Sequence, residues 1–482
     1  MAPTSDLAGR AAVIGPPAPA RIAARGDGAN RLAILAQVAS ALILSTAGGA
    51  LIAATGEWRI SVGLLAGAAF VALGMLRPAL FVGVLLFARP LLDGIPLSAG
   101  ALVGVVLIGV CALVLTDRPH VVRPRATMAF GALLIVSAIA TLPAFMEFGN
   151  VIGLEPLIEL VRLAALFAMY MLAAQVVSTP EMVKRVFLIV GLSGVWPALV
   201  GLAELLHNPT KIANLGLVRI SGTFVGPVVL SSYLALCILI LLKLPREDLP
   251  RWVRWPALGV MGFALILSYG REGWVLLLLA IVLLHWRDNK RFIAAVAIAG
   301  VSLVMLVPGV HARVLPSEEA TGSQSQSTFA SYDWRVANWR ALLERFGERP
   351  FTGWGLETVS AVNPRRPVGS ARNPVGGFQA HNAAVRALVE GGVLLLGAVL
   401  ALFAILIGAL WRIMRTQGSP LAPYAKLLAA AWIAMVVVAL TTNDLLDATA
   451  LIYALLAMSG ALEGAHSRMA VTRGGSAPAR TR

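Results

Sequence analysis

The chain has 482 residues, of which 58% are hydrophobic and only 13% are charged, with a net charge of +15. Soluble globular domains carry about a quarter charged residues, so this composition excludes an ordinary soluble domain. The basic residues lie between apolar blocks rather than in one patch, which fits a membrane surface and excludes nucleic acid as a partner.

The apolar residues form repeated blocks, many of them long enough for a helix to cross roughly 30 Å of hydrocarbon. Inside lipid the backbone must satisfy its own hydrogen bonds, and the short alternating strands of a β-barrel are absent, so the blocks read as helices. In chain order the expected spans are Leu32–Ala54, Ile60–Leu76, Ala79–Leu91, Gly100–Thr116, Thr127–Phe145, Pro156–Val177 and Val186–Leu206. They continue with Val225–Leu244, Pro256–Tyr269, Trp274–His285, Phe292–Val307, Ala387–Trp411, Ala425–Leu440 and Leu445–Leu462. The expectation is an all-α polytopic membrane protein of about 12–14 transmembrane helices. Its organisation reads as a disordered cytoplasmic tail (1–31), an N-terminal transmembrane bundle (32–307), a periplasmic loop (308–386), C-terminal transmembrane helices (387–463) and a second cytoplasmic tail (464–482). Cys111 and Cys237 each sit inside an apolar block and read as small core residues.

Loop charges set the orientation. With both termini in the cytoplasm, the short outside loops hold only Arg59, Arg89, Lys211, Arg219 and Arg271, and the inside segments hold most of the other basic residues. This is the pattern the positive-inside rule expects, and long loops are exempt from it. The segment from Pro308 to Arg386 then lies outside and is too long to be a plain connector.

Within that segment the spacing predicts a helix over Ser331–Glu348. Tyr332, Val336, Trp339, Leu342, Leu343 and Phe346 share one face, and Arg340, Glu344, Arg345 and Glu348 share the other. Arg335 falls in the middle of the apolar stripe, where it either snorkels, pairs with a carboxylate such as Asp333, or meets an anion in a half-buried cleft. Pro350 ends the helix, and Gly353 and Gly355 make a tight re-entry. His381 and Asn382 follow, just before an apolar run containing Glu390-Gly391-Gly392. A histidine at a helix N-terminus is disfavoured as imidazolium and can accept a proton at neutral pH, although a lone interfacial histidine is commonly only a polar anchor. Arg271 stands in a turn between two apolar runs with Glu272 as a candidate partner, and Arg219 opens the span after it in Arg-Ile-Ser-Gly-Thr-Phe. Arg162 lies within a span, three residues from Glu159 and seven from Glu155, spacings that allow local pairing.

Three outward arginines and one histidine suit a pyrophosphate and a hydroxyl nucleophile, because guanidinium forks match phosphate oxygens and stay charged, and an imidazole can take the hydroxyl proton. No Cys/His metal spacing, Walker loop, Gly-x-Ser-x-Gly elbow or Asp-x-Asp pair is visible, and neither metal nor cofactor is expected. A transporter or flippase is the alternative reading, with the Glu155/Glu159/Arg162 group as its intramembrane charges.

The order Arg219-x-Ser-Gly-Thr-Phe224, Ser268-Tyr-Gly-Arg-Glu-Gly-Trp274, Arg335-x-x-x-Trp339, Pro350-x-x-Gly353-x-Gly355, His381-Asn382 and Glu390-Gly391 resembles the superfamily of O-antigen ligases, Wzy-type polymerases and protein O-oligosaccharyltransferases. The resemblance covers Arg219 to Gly392. It implies a GT-C-like membrane fold and an undecaprenyl-pyrophosphate-linked glycan as donor. The acceptor it implies is a glycan, lipid A-core or protein. It further implies His381 as the base, Arg271 and Arg335 as the phosphate clamp, Arg219 as a weaker third arginine, and Trp339 and Asn382 beside the substrate. Two positions depart from the family pattern. Gly270-Arg271-Glu272 stands where Ser-Arg-Gly is usual, and Pro227-Val228 stands where Pro-Asn is usual.

Overall fold

The computed structural model describes residues 69–94, 97–116, 121–207, 219–245, 247–306, 326–364, 379–442, 447 and 449–474. The expected tail Met1–Arg31, the span Leu32–Ala54 and most of Ile60–Leu76 lie outside these residues. The chain divides into two compact units, Met1–Met75 and Leu76–Arg482, and the second carries everything described below.

Its helices are α1 (Pro78–Leu92), α2 (Leu97–Thr116), α3 (Thr127–Ile152), α4 (Glu155–Val176), α5 (Pro180–Ser193), α6 (Val195–His207), α7 (Pro227–Lys243), α8 (Arg251–Leu267), α9 (Arg271–His285) and α10 (Lys290–Leu306). They continue as α11 (Gln326–Glu348), α12 (Val359–Val362), α13 (Ala383–Arg415), α14 (Ala422–Ala439) and α15 (Ala450–Gly474). Among the described residues, five stretches are long and apolar enough to cross a membrane: α3, α4, Pro180–His207, α13 and α14. With no strand among the described residues, the protein is an all-α polytopic membrane protein.

Burial follows composition. α7 is apolar on every side, and an unbroken run from Leu230 to Leu241 is buried at the centre of the unit. α3 and α8 instead expose Met128, Ile135, Leu142, Met146, Trp252 and Phe263, which suits surfaces that meet lipid. Cys111 and Cys237 are buried free thiols, as expected.

Two helix pairs matter most for the site. α9 packs on both α7 and α14. Asp288, just past the end of α9, pairs with Lys426 near the start of α14 at 2.9 Å, so these two helices run antiparallel. The start of α9 and the end of α14 therefore share the opposite end of the unit. α4 packs on α15 through glycines: a Cβ on Gly460 would stand 2.1 Å from the Tyr170 carbonyl oxygen, and one on Gly464 2.2 Å from that of Ala174. Small residues four apart let two helices approach to backbone contact.

The tail expected to begin at Gly464 is corrected by this packing. α15 continues to Gly474, and Arg468 donates to the carbonyls of Ala174, Gln175 and Val177 at the end of α4. These are orphan carbonyls of a helix C-terminus, and satisfying them extends the ordered chain beyond the apolar run.

Candidate functional site

The site assembles from three backbone joints at one end of the helices. The first is the turn between α8 and α9. Ser268 is buried, Tyr269 adopts a left-handed φ of 48°, and α9 starts at Arg271. The turn lies directly on α7: a Cβ on Gly270 would be 2.2 Å from Ser231 Oγ, and one on Gly273 2.5 Å from the Ser231 backbone. Arg271 and Glu272 thus occupy the first turn of a helix pinned in place. Arg219 approaches the same turn, donating from Nε to the Ser268 carbonyl at 3.1 Å, and Ile220 N donates to Leu267 O at 3.4 Å. Its buried Nη2 has no hydrogen-bond partner among the described residues. An unmet buried donor costs about 1–3 kcal/mol, which an anionic acceptor would offset.

The second joint holds His381. The sequence predicts helix over Ser331–Glu348, and α11 spans Gln326–Glu348. From it, Trp339 Nε1 donates to Ala380 O at 2.7 Å and Asn338 Nδ2 to Gln379 O at 3.3 Å. Asn363 braces Asn338 at 2.7 Å. Leu342 is fully buried against Val359, Ala380, Val385 and Val389, with Trp339 and Phe346 packed beside it. Leu343, expected on the same face, is exposed. His381 itself has a left-handed φ of 49°, a conformation that costs a non-glycine residue about 1–3 kcal/mol and is kept only where neighbours over-determine it. Asn382 then caps α13, its side-chain oxygen accepting from Ala384 N at 3.0 Å and Val385 N at 3.1 Å. Arg335 reaches the end of α14, donating from Nη1 to Thr441 O at 3.2 Å.

Arg219, Arg271, Arg335 and His381 therefore come together across the turn, α11 and the start of α13. Arg219 and Arg335 each feel the charges of Arg271 and Glu272, and His381 feels Arg335 and Glu272. Burial first, and the nearby Arg335 charge second, hold the His381 imidazole below its ordinary pKa of 6.5, with Glu272 opposing them. Among the described residues Arg271 makes no ion pair with Glu272. The carboxylate instead serves as a shared counter-charge. Trp339 and Asn382, expected beside the substrate, have their indole N–H and amide oxygen engaged by backbone.

Residues 256–400 match the family model described as O-antigen ligase. The matched stretch is less than a third of the chain. It is also similar to a general O-oligosaccharyltransferase of Acinetobacter baylyi, 26% identical over 239 residues, which is 47% of this chain and 41% of that protein. The chain thus spans about two fifths of the length of that relative.

The matched stretch contains Arg271, Arg335 and His381, whereas Arg219 lies before it. It also contains the third joint. α13 is broken at Gly392, where φ is 65°, and the Pro350–Gly355 turn inserts there. Trp354 N and Gly355 N take the carbonyls of Val389 and Glu390 at 2.8 and 2.9 Å, and Val393 N takes that of Pro350 at 2.9 Å. A Cβ on Gly392 would stand 2.3 Å from Phe351 O, and one on Gly353 2.5 Å from the Glu390 carbonyl carbon. The two short motifs are thus halves of one contact.

Next to this joint the matched stretch holds a residue that sequence reasoning assigned to the loop. Arg386 lies in the first turn of α13 with its side chain 3% exposed, and four carboxylates surround it. They are Glu357 at 2.6 Å, Glu390 at 3.2 Å, Glu159 at 3.6 Å and Asp447. Glu159 also pairs with Arg162 at 2.9 Å, the local pairing the sequence allowed. The i,i+4 spacing of Arg386 and Glu390 inside an otherwise apolar run was the available signal.

Proposed function

We propose that this membrane glycosyltransferase moves a glycan from an undecaprenyl-pyrophosphate-linked donor to an acceptor hydroxyl at the periplasmic face of the inner membrane, as an O-antigen ligase or polysaccharide polymerase. What supports this reading is the meeting of three arginines and a histidine whose imidazole is held below its ordinary pKa. Arg219, with its unmet Nη2, Arg271 and Arg335 hold the diphosphate. His381, kept neutral by burial and Arg335, accepts the proton of the acceptor hydroxyl. The acceptor oxygen bonds to the anomeric carbon, the bond from that carbon to the diphosphate oxygen breaks, and the electron pair leaves on the diphosphate. Every step uses side chains of this protein, and none calls for a metal. Trp339 and Asn382 act as positioning residues, one holding the peptide before His381 and the other starting α13 behind it. A transporter would use intramembrane charges spaced along a path, and here Glu159 pairs with both Arg162 and Arg386 instead.

The test is deletion of the gene with both lipid-linked and mature surface glycans resolved by chain length. Long lipid-linked polymer that persists while lipid A-core or protein stays unglycosylated identifies a ligase or oligosaccharyltransferase. Survival of single repeat units alone identifies a polymerase. Unchanged pools in a strain lacking any paralogue overturn the reading.

A further inference from the structure

Among the described residues, Glu272 is the acidic side chain whose charge acts on Arg219, Arg335 and His381 alike. It occupies the first turn of α9 beside Arg271, on the turn to which Arg219 is bonded through Ser268. The antiparallel packing of α9 and α14 sets this turn beside Thr441, and Arg335 is bonded to Thr441. The ionised groups facing Glu272 are therefore Arg219 from the extended segment before α7, Arg271 from its own helix and Arg335 from α11, with the titratable His381 ahead of α13. Among the described residues, three guanidinium charges less one carboxylate leave two positive charges around the cluster while His381 is neutral.

We propose that Glu272 is a specificity-determining residue that tunes the clamp to the donor's doubly charged diphosphate diester and against the released polyprenyl diphosphate. The proposal rests on the glycan-transfer reading above. In the donor each phosphate carries one negative charge, and two match the cleft. When the glycosidic bond to the diphosphate breaks, the leaving group keeps the electron pair on its terminal oxygen, and the acceptor proton goes to His381. Once His381 has passed that proton to solvent, the product carries up to three negative charges, because a terminal phosphate loses its last proton with a pKa of about 6. The extra charge meets the Glu272 carboxylate, and product release is favoured. With glycine or glutamine in its place, three arginines would match three charges and the product would linger.

The experiment uses full-length protein in lipid nanodiscs, with undecaprenyl diphosphate as the added inhibitor, and compares its inhibition constant with the donor KM. Glu272→Gln should lower the ratio of inhibition constant to KM by about 3- to 30-fold, the effect of removing one nearby like charge at intermediate dielectric. Glu272→Asp, which keeps the charge, should retain most of the wild-type ratio. In the wild type the discrimination should shrink as pH falls through about 6, where the terminal phosphate gains its proton, a readout that stands even where Glu272→Gln fails to fold. A ratio unchanged by Glu272→Gln, an aspartate variant that behaves like glutamine, or wild-type discrimination independent of pH would each overturn the proposal. A wild-type protein that binds neither lipid diphosphate would instead overturn the glycan-transfer reading beneath it.

Discussion

Trp339 donates its indole N–H to the carbonyl of Ala380 at 2.7 Å, one residue before His381. The bond crosses from the middle of α11 to the start of α13, so the geometry of His381 depends on a residue distant in sequence. With Asn338 and Asn363 it forms a polar brace under a peptide held in the left-handed region. Trp339→Phe keeps most of the packing and removes the donor. A lost hydrogen bond of about 1–1.5 kcal/mol at a positioning residue corresponds to roughly a tenfold fall in kcat, with donor KM changed little. Steady-state kinetics on the reconstituted protein separate this outcome from general unfolding, which would lower the active fraction without a selective loss of turnover per folded molecule.

With His381 as the proposed base, the acid limb of the rate profile is expected to report its titration. Its pKa is held below 6.5 by burial and by Arg335, so the neutral imidazole predominates at neutral pH and is lost as pH falls through the depressed value. Removing the Arg335 charge weakens that depression and moves the limb towards higher pH. Glu272→Gln removes the opposing charge and moves it lower. The two variants should displace the pH–rate profile in opposite directions, in addition to any change in amplitude.

Arg386 is expected to matter for stability above all. Arg386→Met leaves four carboxylates facing one another around an apolar side chain, and breaking a buried ion pair from one side costs about 3–5 kcal/mol. Thermal unfolding in detergent should show a large loss. Adding Glu390→Gln to that variant should recover part of it, because one of the stranded charges is gone.

Gly460 and Gly464 allow α15 to lie against the α4 backbone. Leucine at either position collides with the carbonyl of Tyr170 or Ala174 and should cost at least about 1–3 kcal/mol. Reduced protein in the membrane fraction and a lower unfolding temperature would be the measured signs.

How much of this was legible in the sequence depended on whether a signal was local. Arg219, Arg271, Arg335 and His381 stood out because each is polar in apolar surroundings, and all four meet. The Arg162–Glu159 pair was legible from its spacing. Arg386, the long-range partner of Glu159, was not, because no periodicity links α4 to α13. Trp339 and Asn382 belonged to the right motifs, but their roles lie in backbone hydrogen bonds that composition does not encode. The stretch after Gly464 looked like a tail because it turns polar, yet Arg468 binds the carbonyls that end α4.

The most direct test of the account is transfer by reconstituted full-length protein supplied with an undecaprenyl-pyrophosphate-linked glycan and an acceptor, comparing wild type with His381→Ala and Arg335→Ala at equal folded amounts. The account expects His381→Ala to lose nearly all turnover while still binding the lipid diphosphate, and Arg335→Ala to lose binding as well as rate. Transfer at the wild-type rate by both variants would contradict it.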